Sequence, residues 1–199
     1  FKVELKNNLQ MTLEAEIENS VRLLKKGKIL LYPTDTIWGI GCDATNSRAI
    51  TKIYKLKGRS ESKGMIVLLD DQKKLKEFVK EVPLIAHDLI ENSKTPLTIV
   101  YPGAMNLAKN VIANDGSIAI RIVKEDYCSE LIKRLGKPII STSANFSDLP
   151  TATTFDMIDM GIKSGVDYIV DVFQDRVKSV KSSTIIKLEK DGSFTVIRK

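Results

Sequence analysis

The chain has one histidine, His87, and only two cysteines, Cys42 and Cys128, among its 199 residues. A single imidazole excludes a histidine-built zinc site and counts against a Ser-His-Asp triad. His87 stands among Leu84, Ile85, Leu89 and Ile90 on an expected helix and reads as structural. The cysteines are far apart and lack CxxC spacing, so they offer neither a metal framework nor a disulfide scaffold; this usage fits a reducing cytoplasm. No apolar run approaches the roughly 18 residues that a transmembrane helix needs, and no signal-peptide pattern is read. Neither GxxxxGK[ST] nor GxGxxG occurs, so any nucleotide site must be assembled from scattered side chains. Aromatic content of 6% leaves little for stacking on bases.

What is present fits one domain spanning 1–199, since 43% hydrophobic residues can fill a sizeable core. Lys and Arg number 31 against 25 Asp and Glu, a net charge of +6. That balance favours polyanionic partners such as nucleotides, phosphates or tRNA. No internal repeat, low-complexity tract or linker marks a second domain.

Apolar spacing predicts an amphipathic helix over 11–26, capped by Thr12 and closed by Lys25-Lys26-Gly27. A strand over 28–32 follows, and then a polar loop. A second helix, capped by Asn46 or Ser47, stops at Gly58. Further strands are expected at 65–69, 97–101, 117–123, 138–141, 167–171, 183–188 and 194–198. Helices are expected at 71–80, 83–91, 126–135 and 155–161. Pro83 suits the first helical position, and Asp191-Gly192 a hairpin turn. Early strand–helix alternation followed by strands without helices argues for an α/β fold with a mixed sheet.

The run Tyr32 to Ala44 reads as a loop at a strand end, carrying Thr34, Asp35, Thr36, Gly39 and Gly41. Strand ends that open into such loops are where α/β proteins hold ligands. Thr34 is the side chain expected to face a ligand, with Asp35 and Thr36 holding the loop's own backbone. Lys57-Gly58-Arg59, with Lys63, places cations beyond a helix end, where a guanidinium fork suits phosphate or carboxylate. Ser141-Thr142-Ser143-Ala144-Asn145 adds neutral hydrogen-bonding groups at another strand end. Ser117, Arg121, Ser182-Ser183-Thr184 and Arg198 repeat the pairing of hydroxyl with cation near strands.

Together these stretches resemble the YrdC family of threonylcarbamoyl-AMP synthases over nearly the whole chain. The resemblance rests on YPTDTIWGIG at Tyr32 to Gly41, Lys57-Gly58-Arg59 with Lys63, and the strand from Gly116 to Arg121. It also rests on STSAN at Ser141 to Asn145, Pro150-Thr151, and Ser182 to Ile185. It implies an open, twisted, mixed parallel and antiparallel sheet with flanking helices and a central basic cavity. It further implies that L-threonine, bicarbonate and ATP yield threonylcarbamoyl-AMP and pyrophosphate, an adenylyl transfer that supplies the t6A group of tRNA. Mg²⁺ would arrive with ATP, and a separate transferase complex would finish the transfer. By motif match, Thr34, Arg121, Ser141 and Ser183 contact threonine. Arg59, Lys63, Ser117, Ser143, Thr151 and Arg198 contact ATP, while Lys57 and Asn145 line the same cavity.

The sequence departs from the family pattern at Ser60, Gly64, Asn106, Val123 and Asp148. Most departures replace a rigid proline, which implies looser loops. Two other readings of the same residues stay open. One is a non-catalytic module that binds double-stranded RNA or tRNA. The other is a carbamoyl-handling domain related to hydrogenase maturation factors.

Overall fold

The computed structural model describes residues 12–60, 64–174, 182–189 and 191–199. Helix α1 (Leu13–Lys25) starts where Thr12 accepts a hydrogen bond from the Ala15 N–H, with Glu14 and Glu16 in the first turn and Arg22 and Lys25 in the last. These charges complement the helix dipole. Strands β1 (Leu30–Tyr32) and β2 (Gly39–Gly41) follow, then α2 (Ser47–Lys57). Asn46 caps α2, and Gly58 ends it at a φ of 58°, a left-handed turn that glycine makes without strain. Next come β3 (Ile66–Leu69), α3 (Leu75–Phe78), α4 (Leu84–Asn92), β4 (Leu97–Tyr101) and β5 (Ile118–Ile122). The chain continues through α5 (Asp126–Leu135), β6 (Ile139–Ser143), α6 (Met160–Gly165), β7 (Tyr168–Ile169), β8 (Thr184–Leu188) and β9 (Phe194–Arg198).

The strands form one nine-stranded sheet in the order β7-β1-β2-β6-β3-β5-β4-β8-β9. Pairs β1–β7, β3–β5 and β4–β8 are parallel, and the others antiparallel. This is the mixed α/β sheet expected. Its two faces bury separate cores. Leu31, Ile40, Val67, Leu69 and Ile140 join the core that α2 and α4 cover. Leu30, Tyr32, Leu68 and Ile139 join the one under α1 and α5. Alternation along β1, β3 and β6 sends neighbouring residues to opposite faces.

Four local expectations change. The run after Thr36 is not all loop, because Gly39 to Gly41 form β2 between β1 and β6. A β-carbon on Gly41 would lie 2.0 Å from the Ile140 carbonyl oxygen and 2.7 Å from the Tyr32 ring. That glycine therefore serves close strand packing rather than loop freedom. The helix expected over 71–80 is a 3₁₀ turn at Gln72–Lys74 followed by four residues of α3. Val79 is extended there and bridges Ala104. Pro83 caps α4 rather than opening it. The helix expected at 155–161 lies at Met160–Gly165, started by Asp159, which accepts from the Gly161 N–H. No described helix is long and apolar enough to cross a membrane.

Candidate functional site: a basic cavity on the sheet

The face of the sheet under α1 and α5 turns from apolar to polar beyond Leu68. Register aligns Leu68 with both Arg121 and Ile139, so these three share a face. Ser141 and Ser143 follow Ile139 at steps of two and project to the same side. Here a cavity of about 190 Å³ opens. Its wall holds the guanidinium residues Arg59, Arg121 and Arg198 and the hydroxyl residues Thr36, Ser141, Thr142, Ser143, Thr151, Ser182 and Ser183. Trp38, Met65, Ile66 and Ile185 supply its apolar patches, and among the described residues no carboxylate lines it.

Arg121 is the most deeply set of the three cations, at 3% exposure. Its Nη2 lies 3.0 Å from Asp35 Oδ1, an ion pair off hydrogen-bond alignment, and its buried Nε has no hydrogen-bond partner among the described residues. A buried guanidinium with spare donors favours an anion, because an unmet buried donor costs about 1–3 kcal/mol. Arg198 crosses from β9 to β8, donating from Nε and Nη2 to the Ser183 carbonyl at 3.1 and 2.9 Å. Burial, with Arg121's charge added, pushes the Arg198 pKa below the usual arginine range. Burial does the same at Arg59, opposed by Tyr54 and Asp148. Arg59 also donates from Nη2 to the Gly64 carbonyl at 2.8 Å. Ser183 and Thr98 hydroxyls meet at 2.8 Å beneath the cavity.

The structure thus gathers seven of the expected residues on one wall: Arg59, Arg121, Ser141, Ser143, Thr151, Ser183 and Arg198. Lys63 lies outside the described residues. Four others are not part of this wall. Thr34 is enclosed in its own loop, donating to the Ile37 carbonyl at 2.7 Å and accepting from the Thr36 N–H. It borders a narrow adjoining cleft instead. Ser117 donates to Asp115 Oδ1 at 2.6 Å, closing a turn. Lys57 is 1% exposed and its Nζ donates to the carbonyls of Ser143 and Asn145. Burial lowers its pKa to about 8, with Arg59's charge adding to the effect. The Lys57 carbonyl accepts from the Ser147 N–H at 2.8 Å, so this residue clamps the turn that carries the serines. Asn145 turns its amide to the carbonyls of Phe146 and Leu149.

Thr36 and Trp38 belong to the cavity wall, whereas Thr36 was expected to serve the loop's backbone. Sequence spacing alone does not separate Thr34 from Thr36, because residues 35–37 bend and the Thr36 N–H folds back onto the Thr34 hydroxyl. Trp38 packs against Phe155 at a tilt, ring centroids 4.9 Å apart, and also borders the cavity. A roomier groove of about 400 Å³ lies beyond Asp35, bordered by Ile90, Pro96, Leu97, Ile122 and Lys124. It lacks the converging buried donors that make the smaller cavity chemically distinctive. Cys42 and Cys128 are fully buried, and burial pushes both thiols up. Neither is poised as a nucleophile.

Fold and cavity together define an α/β protein with a donor-lined cavity built across a mixed sheet. The Sua5/YciO/YrdC family model, described as "Telomere recombination", matches residues 22–199. The chain belongs to this family. It is 33% identical over 187 residues to a putative threonylcarbamoyl-AMP synthase of Methanocaldococcus jannaschii, covering 92% of this chain and 87% of that protein. It is 31% identical over 159 residues to the threonylcarbamoyl-AMP synthase of Psychromonas ingrahamii, covering 78% and 83%. The crystal structure of P. abyssi Sua5 complexed with L-threonine superposes with a TM-score of 0.83 at 24% identity, over 94% of this chain. This chain spans 54% of that one, a little over half its length.

Proposed function

We propose that the protein is an L-threonylcarbamoyladenylate synthase. It makes threonylcarbamoyl-AMP and pyrophosphate from L-threonine, bicarbonate and ATP for t6A in tRNA. The observation that carries this reading is buried Arg121, with Nε unpartnered among the described residues and with Ser141, Ser183 and Arg198 sharing its cavity. Such an arrangement suits an amino-acid carboxylate beside a polyphosphate. The relatives named as threonylcarbamoyl-AMP synthases support the same activity.

In this reading the amine of threonine and bicarbonate give a carbamate and water. A carbamate oxygen then attacks the α-phosphorus of ATP, and the bond to pyrophosphate breaks. Every partner carries negative charge, so the protein's task is to hold anions together with fixed cations and donors. Arg121, Ser141 and Ser183 take the threonine carboxylate. Arg59, Arg198, Ser143 and Thr151 take the phosphates and the developing charge on the α-phosphorus, with Lys63 and Ser117 assigned there by motif alone. Thr34, Lys57 and Asn145 hold the loops that carry wall residues. Among the described residues no cluster of metal-ligating side chains occurs and no carboxylate lines the cavity. Mg²⁺ enters with the triphosphate in this reading, where it would neutralise phosphate charge. The product passes to a separate tRNA-modifying transferase.

The test is pyrophosphate release by the purified protein with ATP, bicarbonate and L-threonine. Release that needs threonine and bicarbonate supports the reading, and release indifferent to threonine refutes it.

A further inference from the structure

We infer that the groove of about 400 Å³ beyond Asp35 is a second ligand site, which takes a short aliphatic carboxylate. Its floor lies on the opposite side of the sheet from the basic cavity. Thr98 pairs with Arg121, and the Thr98 hydroxyl meets Ser183 beneath that cavity. The next residues along, Leu97 on β4 and Ile122 on β5, are therefore neighbours and project the other way. Both pack against the core on the α4 side while staying only partly buried. Ile90, from the last turn of α4, completes an apolar floor.

The rim decides the charge of the occupant. Asp35, Glu125, Lys94 and Lys124 border the groove, two acids and two bases. Both acids are engaged. Asp35 holds Arg121 at 3.0 Å, and Glu125 accepts from the Cys128 N–H at 2.9 Å to cap α5. Both lysines are exposed, and neither has an ion-pair partner among the described residues. The uncommitted charge at the rim is thus positive, above a floor that gains by losing water. An alkyl chain with one anionic head satisfies both. An alkylammonium would meet two cations, and a polyanion without an apolar body would leave the floor wet. The long lysine stem suits this task, since its methylenes lie along apolar surface while the ammonium reaches the head group.

The experiment titrates hexanoate, octanoate and octylamine into wild type and into the Lys94→Glu/Lys124→Glu double variant by calorimetry. Wild type should bind octanoate about 4- to 16-fold more tightly than hexanoate, as two more methylenes leave water. It should bind octanoate at least about 5-fold more tightly than octylamine, from pairing with the two lysines. The double variant should reverse that preference, and its binding of octylamine shows that the floor is intact. Saturating ATP or L-threonine should not displace octanoate. A wild type that binds no octanoate, or binds octanoate and octylamine alike, overturns the inference. So does a double variant that keeps the wild-type preference. Displacement of octanoate by ATP or threonine overturns it as well, because the carboxylate would then sit beside Arg121 in the basic cavity. Pyrophosphate release is measured separately, so failure of the reaction proposed above leaves this site to be judged on binding alone.

Discussion

Lys57 carries a positive charge into a place where water scarcely reaches, and pH should reveal it. Its ammonium is 1% exposed and bridges the carbonyls of Ser143 and Asn145. Burial lowers its pKa from 10.5 to about 8. Above pH 8 the folded protein gives up this proton while the unfolded chain keeps it to about 10.5. The unfolded state then binds more protons, so this group makes stability rise with pH. The penalty of the buried charge is fully present below pH 8 and fades toward 10.5, a total of about 3 kcal/mol. Between pH 7.5 and 9.5 the change is about 2 kcal/mol. Buried Cys42 and Cys128 pull the other way, because their raised pKa values let the unfolded chain ionise first. The absolute slope therefore mixes opposing contributions, and the informative quantity is the difference between wild type and Lys57→Met. Urea unfolding at intervals across this window should show wild type gaining about 2 kcal/mol on the variant as pH rises. A difference that stays flat refutes a desolvated, titrating Lys57.

Four other outcomes are expected. Arg59→Ala should lower threonine-dependent pyrophosphate release by at least about 10-fold, the loss of one charge-assisted contact of ~1.5–3 kcal/mol, and a near-wild-type rate would remove Arg59 from the site. Gly41→Ala should cost about 3 kcal/mol or more, because its β-carbon would fall 2.0 Å from a backbone oxygen, and an unchanged melting temperature would contradict that packing. Asp148 holds a φ of 65°, so Asp148→Gly should be about 1 kcal/mol more stable than Asp148→Ala in denaturant unfolding, and equal stability would show the backbone unstrained there. Cys42 and Cys128 should resist a thiol reagent in the native protein and react on unfolding, and rapid native labelling would show that the burial is not maintained.

Most elements follow from patterns a few residues long. The Thr12 and Asn46 caps and the Gly58 stop are local signals, and α1 and α2 stand where expected. Misplaced elements are those decided by distant partners. Gly39 to Gly41 look like loop residues until β1 and β6 close on both sides. Val79 leaves its helix to bridge Ala104. The same division governs the site. Residue types identified Arg59, Arg121, Arg198 and the serines, since cations and hydroxyls at strand ends suit anions wherever they lie. The roles of Lys57 and Thr34 depend on which carbonyls sit next to them. For Lys57 those carbonyls are 86 and 88 residues away in sequence. Asn106 and Asp148, which differ from the family pattern, both adopt positive φ. Asn106 uses its side chain to hold the Glu77 carbonyl at 2.7 Å, a bond that residue type alone does not announce.

The cavity draws on β2, β3, β5, β6, β8 and β9, and its wall runs from Thr36 to Arg198 in sequence. Gly39 meets Ser143 across the β2–β6 pairing, and Ile185 meets Arg198 across the last hairpin. No early-forming hairpin or helix pair holds even half of these side chains, so the site comes into being only when the long-range pairings close. Such pairings are the slow part of folding. A ligand that needs the assembled wall therefore binds the native state alone and raises global stability by RT ln(1 + [L]/Kd). Substrate concentration and resistance to unfolding become coupled quantities in this protein, and a substitution far from the cavity that loosens the sheet lowers apparent affinity without touching a single ligand contact.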